Sequence, residues 1–144
     1  MKKFELTSET KINIFGKKLF RIKALISFAD VEAGETGGWV EKEGNVNQSG
    51  NAWVYVNAMV YGNAMVSGDA MVYGDADYTT IHGFGTQFRT TTFFRCKDKK
   101  VRVACGCFFG TIPEFREQVK NTRKGKIAEE YLMIADLMEN HFEK

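Results

Sequence analysis

From Asn51 to Tyr78 the apolar and polar positions follow a single period of six. Val stands at 54, 60, 66 and 72, and Tyr78 takes the next place. Ala stands at 52, 58, 64, 70 and 76, preceded in turn by Asn51, Asn57, Asn63, Asp69 and Asp75. Six matches neither the 3.6 period of a helix nor the simple alternation of a strand. It predicts short strands turned at corners, with about three hexads making a coil of about 18 residues. Val fills the interior and the small Ala sits beside the corner. Gly-Asn or Gly-Asp ahead of Ala suits the bend, because these residues tolerate left-handed backbone. Upstream, Gly44-Asn45-Val46 and Gly38-Trp39-Val40 keep the phase. A run of short antiparallel hairpins is the competing reading, and strict phase over five repeats disfavours it.

Other patterns flank the repeats. Residues 3–7, 11–15 and 19–25 alternate as strands around a turn at Gly16-Lys17-Lys18, predicting a small meander. Gly34, Gly37 and Gly38 mark a loop feeding the repeats. After Tyr78 the phase is lost in TTIHGFGTQFRTTTFF. Thr91 to Cys96 and Val101 to Cys105 predict a hairpin with its turn at Lys97 to Lys100. Thr111 and Glu114 read as a capping box with Pro113 in the first turn, starting a helix over about 112–122. A second helix over about 126–142 carries Ile127, Tyr131, Ile134, Leu137, Met138 and Phe142 at the spacing of one buried stripe.

The repeats resemble the hexapeptide-repeat family of left-handed parallel β-helices. The run RIKALISFADVEAGETGGWVE, the repeats and CGCFFGT resemble a group of phage and prophage hexapeptide-repeat proteins, of the kind labelled polymer-forming or acyltransferase-like. The expected fold is mainly β: a short left-handed parallel β-helix over 38–81, an N-terminal β-meander over 1–37, and a C-terminal ββαα cap over 82–144. In an 18-residue coil Trp53 lies under Met71 and Tyr55 under Tyr73. These four are expected to point outward and form an apolar oligomer interface, since such a short solenoid is weakly stable alone; the resemblance implies that the oligomer is a homotrimer. The competing expectation has the C-terminal part folding back over this face.

Composition narrows the partners. The chain has 144 residues, with 20 basic against 18 acidic side chains and a net charge of +2. That argues against a long nucleic acid partner but leaves room for a local anion site. No apolar run reaches the length of a membrane span, and the first residues do not read as an export signal, so no membrane partner and a cytoplasmic setting are expected. That cytoplasm is the host bacterium's if the gene is phage-borne. Three cysteines fit reduced thiols.

Four features carry candidate chemistry. The helix start at Gly110 and Thr111 offers amide groups to an anion, or is simply a capped helix. The segment with Gly83, Gly85, Thr86, Arg89, Thr90 and Thr91 offers backbone access, hydroxyls and a guanidinium that grips phosphate, or is a solvated linker. If the two meet, they form an anion pocket, with Arg95 and Arg102 nearby on the hairpin. Cys96, Cys105 and Cys107, with His82 as a fourth ligand, are a weak alternative for zinc, since no C-x2-C knuckle is present. His82 lies just past the last repeat, where the family resemblance implies an acyltransferase would keep its general base.

The favoured expectation is an oligomeric binder that sequesters a small phosphorylated or nucleotide-like ligand without turnover and needs no cofactor. The likeness to phage-borne proteins implies that this ligand is a host immune signal. An acyltransferase using His82, and a purely structural assembly module, are the alternatives.

Overall fold

The computed structural model describes residues 2–86, 89–105 and 108–142. Its strands are β1 (Phe4–Ile12), β2 (Lys18–Ala24), β3 (Thr36–Val40), β4 (Trp53–Val54), β5 (Met59–Val60), β6 (Met71–Val72), β7 (Tyr78–Phe84), β8 (Arg89–Arg95), β9 (Val101–Cys105) and β10 (Phe108–Thr111). Two helices follow, α1 (Ile112–Thr122) and α2 (Gly125–Phe142).

These strands form three small sheets rather than the expected β-helix. The first has the order β1-β2-β3-β5, the second β10-β9-β8-β7, and β4 pairs with β6 in the third. The second sheet is antiparallel throughout. The first is mixed, antiparallel from β1 to β3 and parallel only between β3 and β5. The hexad repeats therefore do not build a left-handed parallel solenoid. Their strands are two residues long and are divided between sheets. The pairing offset also slips, from 18 residues at Trp53↔Met71 to 20 at Trp39↔Met59 and Val46↔Val66. Without a constant offset the short pairings do not accumulate into regular prism faces.

Within this arrangement the hexad still decides burial. Val40, Val46, Val54, Val60, Val66 and Val72 are all buried, as are Ala52, Ala58, Ala64 and Ala70, whereas the last repeat departs, with Ala76 exposed and Tyr78 half-buried where β7 begins. Asn45 locks two turns of the chain together from inside. Its Oδ1 accepts the N–H groups of Glu41 and Lys42 at 3.1 and 2.9 Å. Its Nδ2 donates to the carbonyls of Gly62 and Ala64 at 3.1 and 2.8 Å. A buried amide with all of this capacity used adds specificity without an unmet polar group.

The residue stacking expected at 18 residues is present in two pairs, Trp53↔Met71 in register and Tyr55 on Tyr73 with ring centroids 4.2 Å apart. The expected outward aim of Trp53 is not. Trp53 is fully buried, edge-on to Phe4 and Phe28 at 6.0 and 5.3 Å. The N-terminal strands close over it, so Trp53 belongs to the chain's own core and not to an oligomer interface. Tyr55 and Met71 are half-buried and Tyr73 is exposed.

The N-terminal segments predicted as two strands are one, β1, with a register irregularity between Leu6 and Thr10. The predicted two-stranded cap is four-stranded, because β7 and β10 flank the hairpin β8-β9. β7 starts at Tyr78, before the expected boundary at 82. β8 presents Phe94 to the repeat core and Phe93 to the core beneath α1 and α2. This is the strand alternation at work, one residue to each face.

Candidate functional site

A cleft of about 340 Å³ opens where the β7-β8 turn meets α1 and α2. β7 supplies Phe84, the segment after it Gly85 and Thr86, and β8 Arg89; β9 and β10 supply Cys105 and Phe108. α1 and the residue after it supply Phe115, Gln118, Val119, Thr122 and Arg123, and α2 supplies Tyr131.

Local geometry explains each contribution. The β7-β8 pairing is irregular between His82 and Phe84, and Gly83 and Gly85 take φ of +95° and +80°. Only glycine adopts these values at little cost. At Gly85 a second reason applies, since a Cβ there would lie 2.5 Å from the Tyr131 hydroxyl. Along β8, Arg89 shares a face with Phe93 and so aims at the helices. On α1, Gln118 and Thr122 are one turn apart, as are Val119 and Arg123, which puts each pair on one side.

The floor is aromatic. Phe115 packs against Phe93, Phe108 and Tyr131, with centroids 6.1, 5.7 and 5.8 Å away. Arg89 and Arg123 line the same cleft. Arg123 lies 6.0 Å from the Tyr131 ring centroid and donates to Thr122 Oγ1 at 3.4 Å. Burial raises the Tyr131 phenol pKa and the nearby Cys105 adds to the rise, while the positive charges of Arg123 and Arg89 oppose it. Both arginines thus act on the same end of the cleft. Thr91, buried behind it, donates its hydroxyl to Cys105 Sγ at 3.1 Å. The described lining residues include no Asp or Glu.

Gly85, Thr86 and Arg89, expected from sequence, line this cleft, and Thr91 supports it through Cys105. Gly83 sits in the irregular turn beside it. Thr90 faces the other way and pairs with His82, Oγ1 to Nδ1 at 3.1 Å. His82 is therefore on the sheet face opposite the cleft, exposed. This geometry gives no support to a base working in the cleft.

Gly110 and Thr111 do not join the site. The cleft meets the C-terminal end of α1, whereas these residues begin it. The capping box forms as expected. Thr111 Oγ1 accepts the Glu114 N–H at 3.2 Å, and the Glu114 carboxylate accepts the Thr111 N–H at 2.8 Å. That carboxylate, its pKa lowered by the Thr111 amide, already fills the anion position at the helix start. Arg95 and Arg102 are engaged elsewhere, with Asp77 at 3.3 Å and Asp98 at 2.8 Å.

The zinc alternative fails on spacing. Cys105 pairs with Thr91, five residues from Cys96 along the sheet, which separates the two thiols by ~17 Å at the strand rise. Cys107 lies outside the described residues. Burial pushes the Cys96 thiol up to about 11. Among the described residues no group of three His, Cys, Asp or Glu side chains is placed to hold a metal.

No protein-family model matches the chain and no curated protein matches it. Among the described residues no helix is long and apolar enough to cross a membrane.

Gln118, Thr122, Arg123, Tyr131 and the lining phenylalanines Phe84, Phe108 and Phe115 were not legible as site residues in the sequence. One signal was present. Tyr131 is the single hydroxyl-bearing residue in the apolar stripe of α2, and a buried Tyr needs a polar setting for its O–H.

Proposed function

We propose that this cleft binds a small phosphorylated, nucleotide-like molecule and holds it without chemical conversion. The observation that carries the reading is that Arg89 and Arg123, from separate elements, line one cleft with an aromatic floor and no carboxylate among its described lining. The guanidinium groups match a phosphate or carboxylate, and the aromatic floor matches a flat ring. Thr86, Thr122, Gln118 and the Gly85 backbone supply further hydrogen-bonding groups. The volume suits one small ligand. The described lining has neither His nor a carboxylate, and its Tyr131 phenol is held protonated by burial, which supports binding without turnover.

The sequence likeness to phage-borne proteins extends the proposal to sequestration of a nucleotide immune signal in the cytoplasm of a host bacterium. In this reading the protein competes for the signal by affinity and abundance.

Titration calorimetry with nucleoside monophosphates, diphosphates and cyclic dinucleotides tests the proposal. At least one phosphorylated compound is expected to bind and its unphosphorylated nucleoside is not. Arg89→Ala and Arg123→Ala are each expected to weaken binding by about 10- to 100-fold, the cost of a lost charge-assisted contact. The ligand is expected to be recovered unchanged. Undiminished affinity in the double variant would place binding elsewhere. Conversion of the ligand, or acyl-CoA turnover that disappears in His82→Ala, would replace the binding reading with an enzymatic one.

A further inference from the structure

The turn between β1 and β2 carries three large apolar side chains that the fold leaves in water. Ile12, Ile14 and Phe15 are 71%, 93% and 67% exposed. The turn that presents them is fixed by hydrogen bonds. Asn13 Oδ1 accepts the N–H groups of Phe15 and Lys17, both at 3.0 Å. The Asn13 N–H donates to the Lys17 carbonyl and the Gly16 N–H to the Asn13 carbonyl, again both at 3.0 Å. Gly16 closes the turn at φ +80°. Phe15 leans toward Tyr61, with ring centroids 6.2 Å apart.

The same hairpin is strongly cationic. Between Thr10 and Ala24 stand Lys11, Lys17, Lys18, Arg21 and Lys23, with no Asp or Glu. Lys17, Lys18 and Lys23 are exposed. Three carboxylates stand at the base of the hairpin, away from its tip: Glu5 lies opposite Lys23 in the β1-β2 register, and the other two are engaged. Glu9 pairs with Arg21 at 3.4 Å, and Glu41 accepts the Gly62 N–H at 2.7 Å.

We propose that this hairpin tip is a peripheral membrane contact, inserting Ile14 and Phe15 between the lipids of an anionic surface while the flanking lysines hold headgroups. Charge selects this occupant. A second copy meeting tip to tip would bring two cationic hairpins together, and like charges oppose that contact. Area points the same way. A stable protein partner needs about 800 Å² from each side, more than three side chains on a narrow turn present. A bilayer needs no shaped partner surface and accepts a narrow apolar tip beside basic residues. The contact lies on the first sheet, away from the Arg89–Arg123 cleft, and is independent of what fills that cleft. The sequence reading expects no membrane partner because nothing spans; contact at the surface needs no span.

Vesicle sedimentation tests this with the full chain. The probes are phosphatidylcholine vesicles with phosphatidylserine at about 3:1, and phosphatidylcholine vesicles alone. Wild-type protein is expected to pellet with the anionic vesicles about tenfold more strongly than with the neutral ones, and less as salt rises. Ile14→Asp is expected to abolish pelleting while leaving thermal unfolding unchanged, since the side chain is in water. The double variant Lys17→Glu/Lys18→Glu is expected to lose the preference for anionic lipid. Wild-type protein that stays in the supernatant would overturn the proposal. So would equal pelleting of Ile14→Asp, or a lipid-free change in oligomeric mass in that variant, which would assign the tip to a second copy.

Discussion

Lys3 illustrates how one residue couples the fold to its charge state. Its side chain is buried, and Nζ donates to the carbonyls of Ala52 at 2.8 Å and Gly50 at 3.3 Å. The ring of Phe28 lies 4.8 Å from the ammonium. Burial lowers the Lys3 pKa to about 8. The unfolded chain keeps an ordinary lysine and therefore binds more protons than the folded chain above about pH 8. Stability from this group accordingly rises with pH from about 8 to the ordinary lysine pKa, and is flat below that window. Denaturant midpoints measured from pH 7 to pH 10 are expected to carry this rising component in the wild type. Lys3→Met is expected to remove it. A wild-type profile parallel to that of the variant would show that the buried amine stays charged throughout. In the sequence Lys3 reads only as one of two N-terminal lysines, because its burial depends on a contact 49 residues away.

At the scale of elements, α1 supplies one wall of the cleft, and its start is the best-specified local feature of the chain. Thr111, Pro113 and Glu114 announced the helix, and both reciprocal bonds of the box form. Thr111→Ala is expected to cost about 1 kcal/mol of unfolding free energy, read from chemical denaturation. Ligand affinity should fall little, since the cleft lies at the other end of α1. A large loss of affinity with little loss of stability would instead put Thr111 at the ligand. Elements with local signals were legible: α1, α2 and the β8-β9 hairpin, with the N-terminal meander legible as strands though not in their number. The pairing partners β7 and β10 were not, because an antiparallel ladder is closed by residues the local pattern does not connect. The meeting of the β7-β8 turn with the wrong end of α1, relative to expectation, has the same cause. A helix start is visible in sequence, but the direction in which the helix then runs across a sheet is not.

The whole molecule is built on β8, which contributes Phe94 to one core and Phe93 to the other. The Ala70↔Cys96 bridge and the Lys97 N–H bond to the Asp69 carbonyl at 3.0 Å join this sheet to the repeats. Trp53 sits inside the first core, so its replacement acts on folding. Trp53→Ala is expected to cost about 3–5 kcal/mol, in the range of large aromatic truncations. Calorimetry and sedimentation together check this. Unfolding at a much lower temperature with unchanged oligomeric mass is expected. A normal unfolding temperature with a smaller assembly would return Trp53 to an interface.

By itself the sequence determined that the hexad Val and Ala positions up to Val72 are buried, where the helices lie, and that Gly85, Thr86 and Arg89 mark the β7-β8 side of the cleft. Each of these is a matter of local spacing and side-chain chemistry. Only the tertiary structure decided that the repeats split into short strands of mixed sheets, that Trp53 turns inward beneath β1, and that Arg123 and Tyr131 face Arg89. The physical reason is common to all three. A period states which residues seek the interior, but the surface that covers them comes from distant parts of the chain. Here the N-terminal hairpin, the antiparallel sheet and the two helices compete to supply that cover. Packing, which acts without regard to sequence separation, settles the outcome.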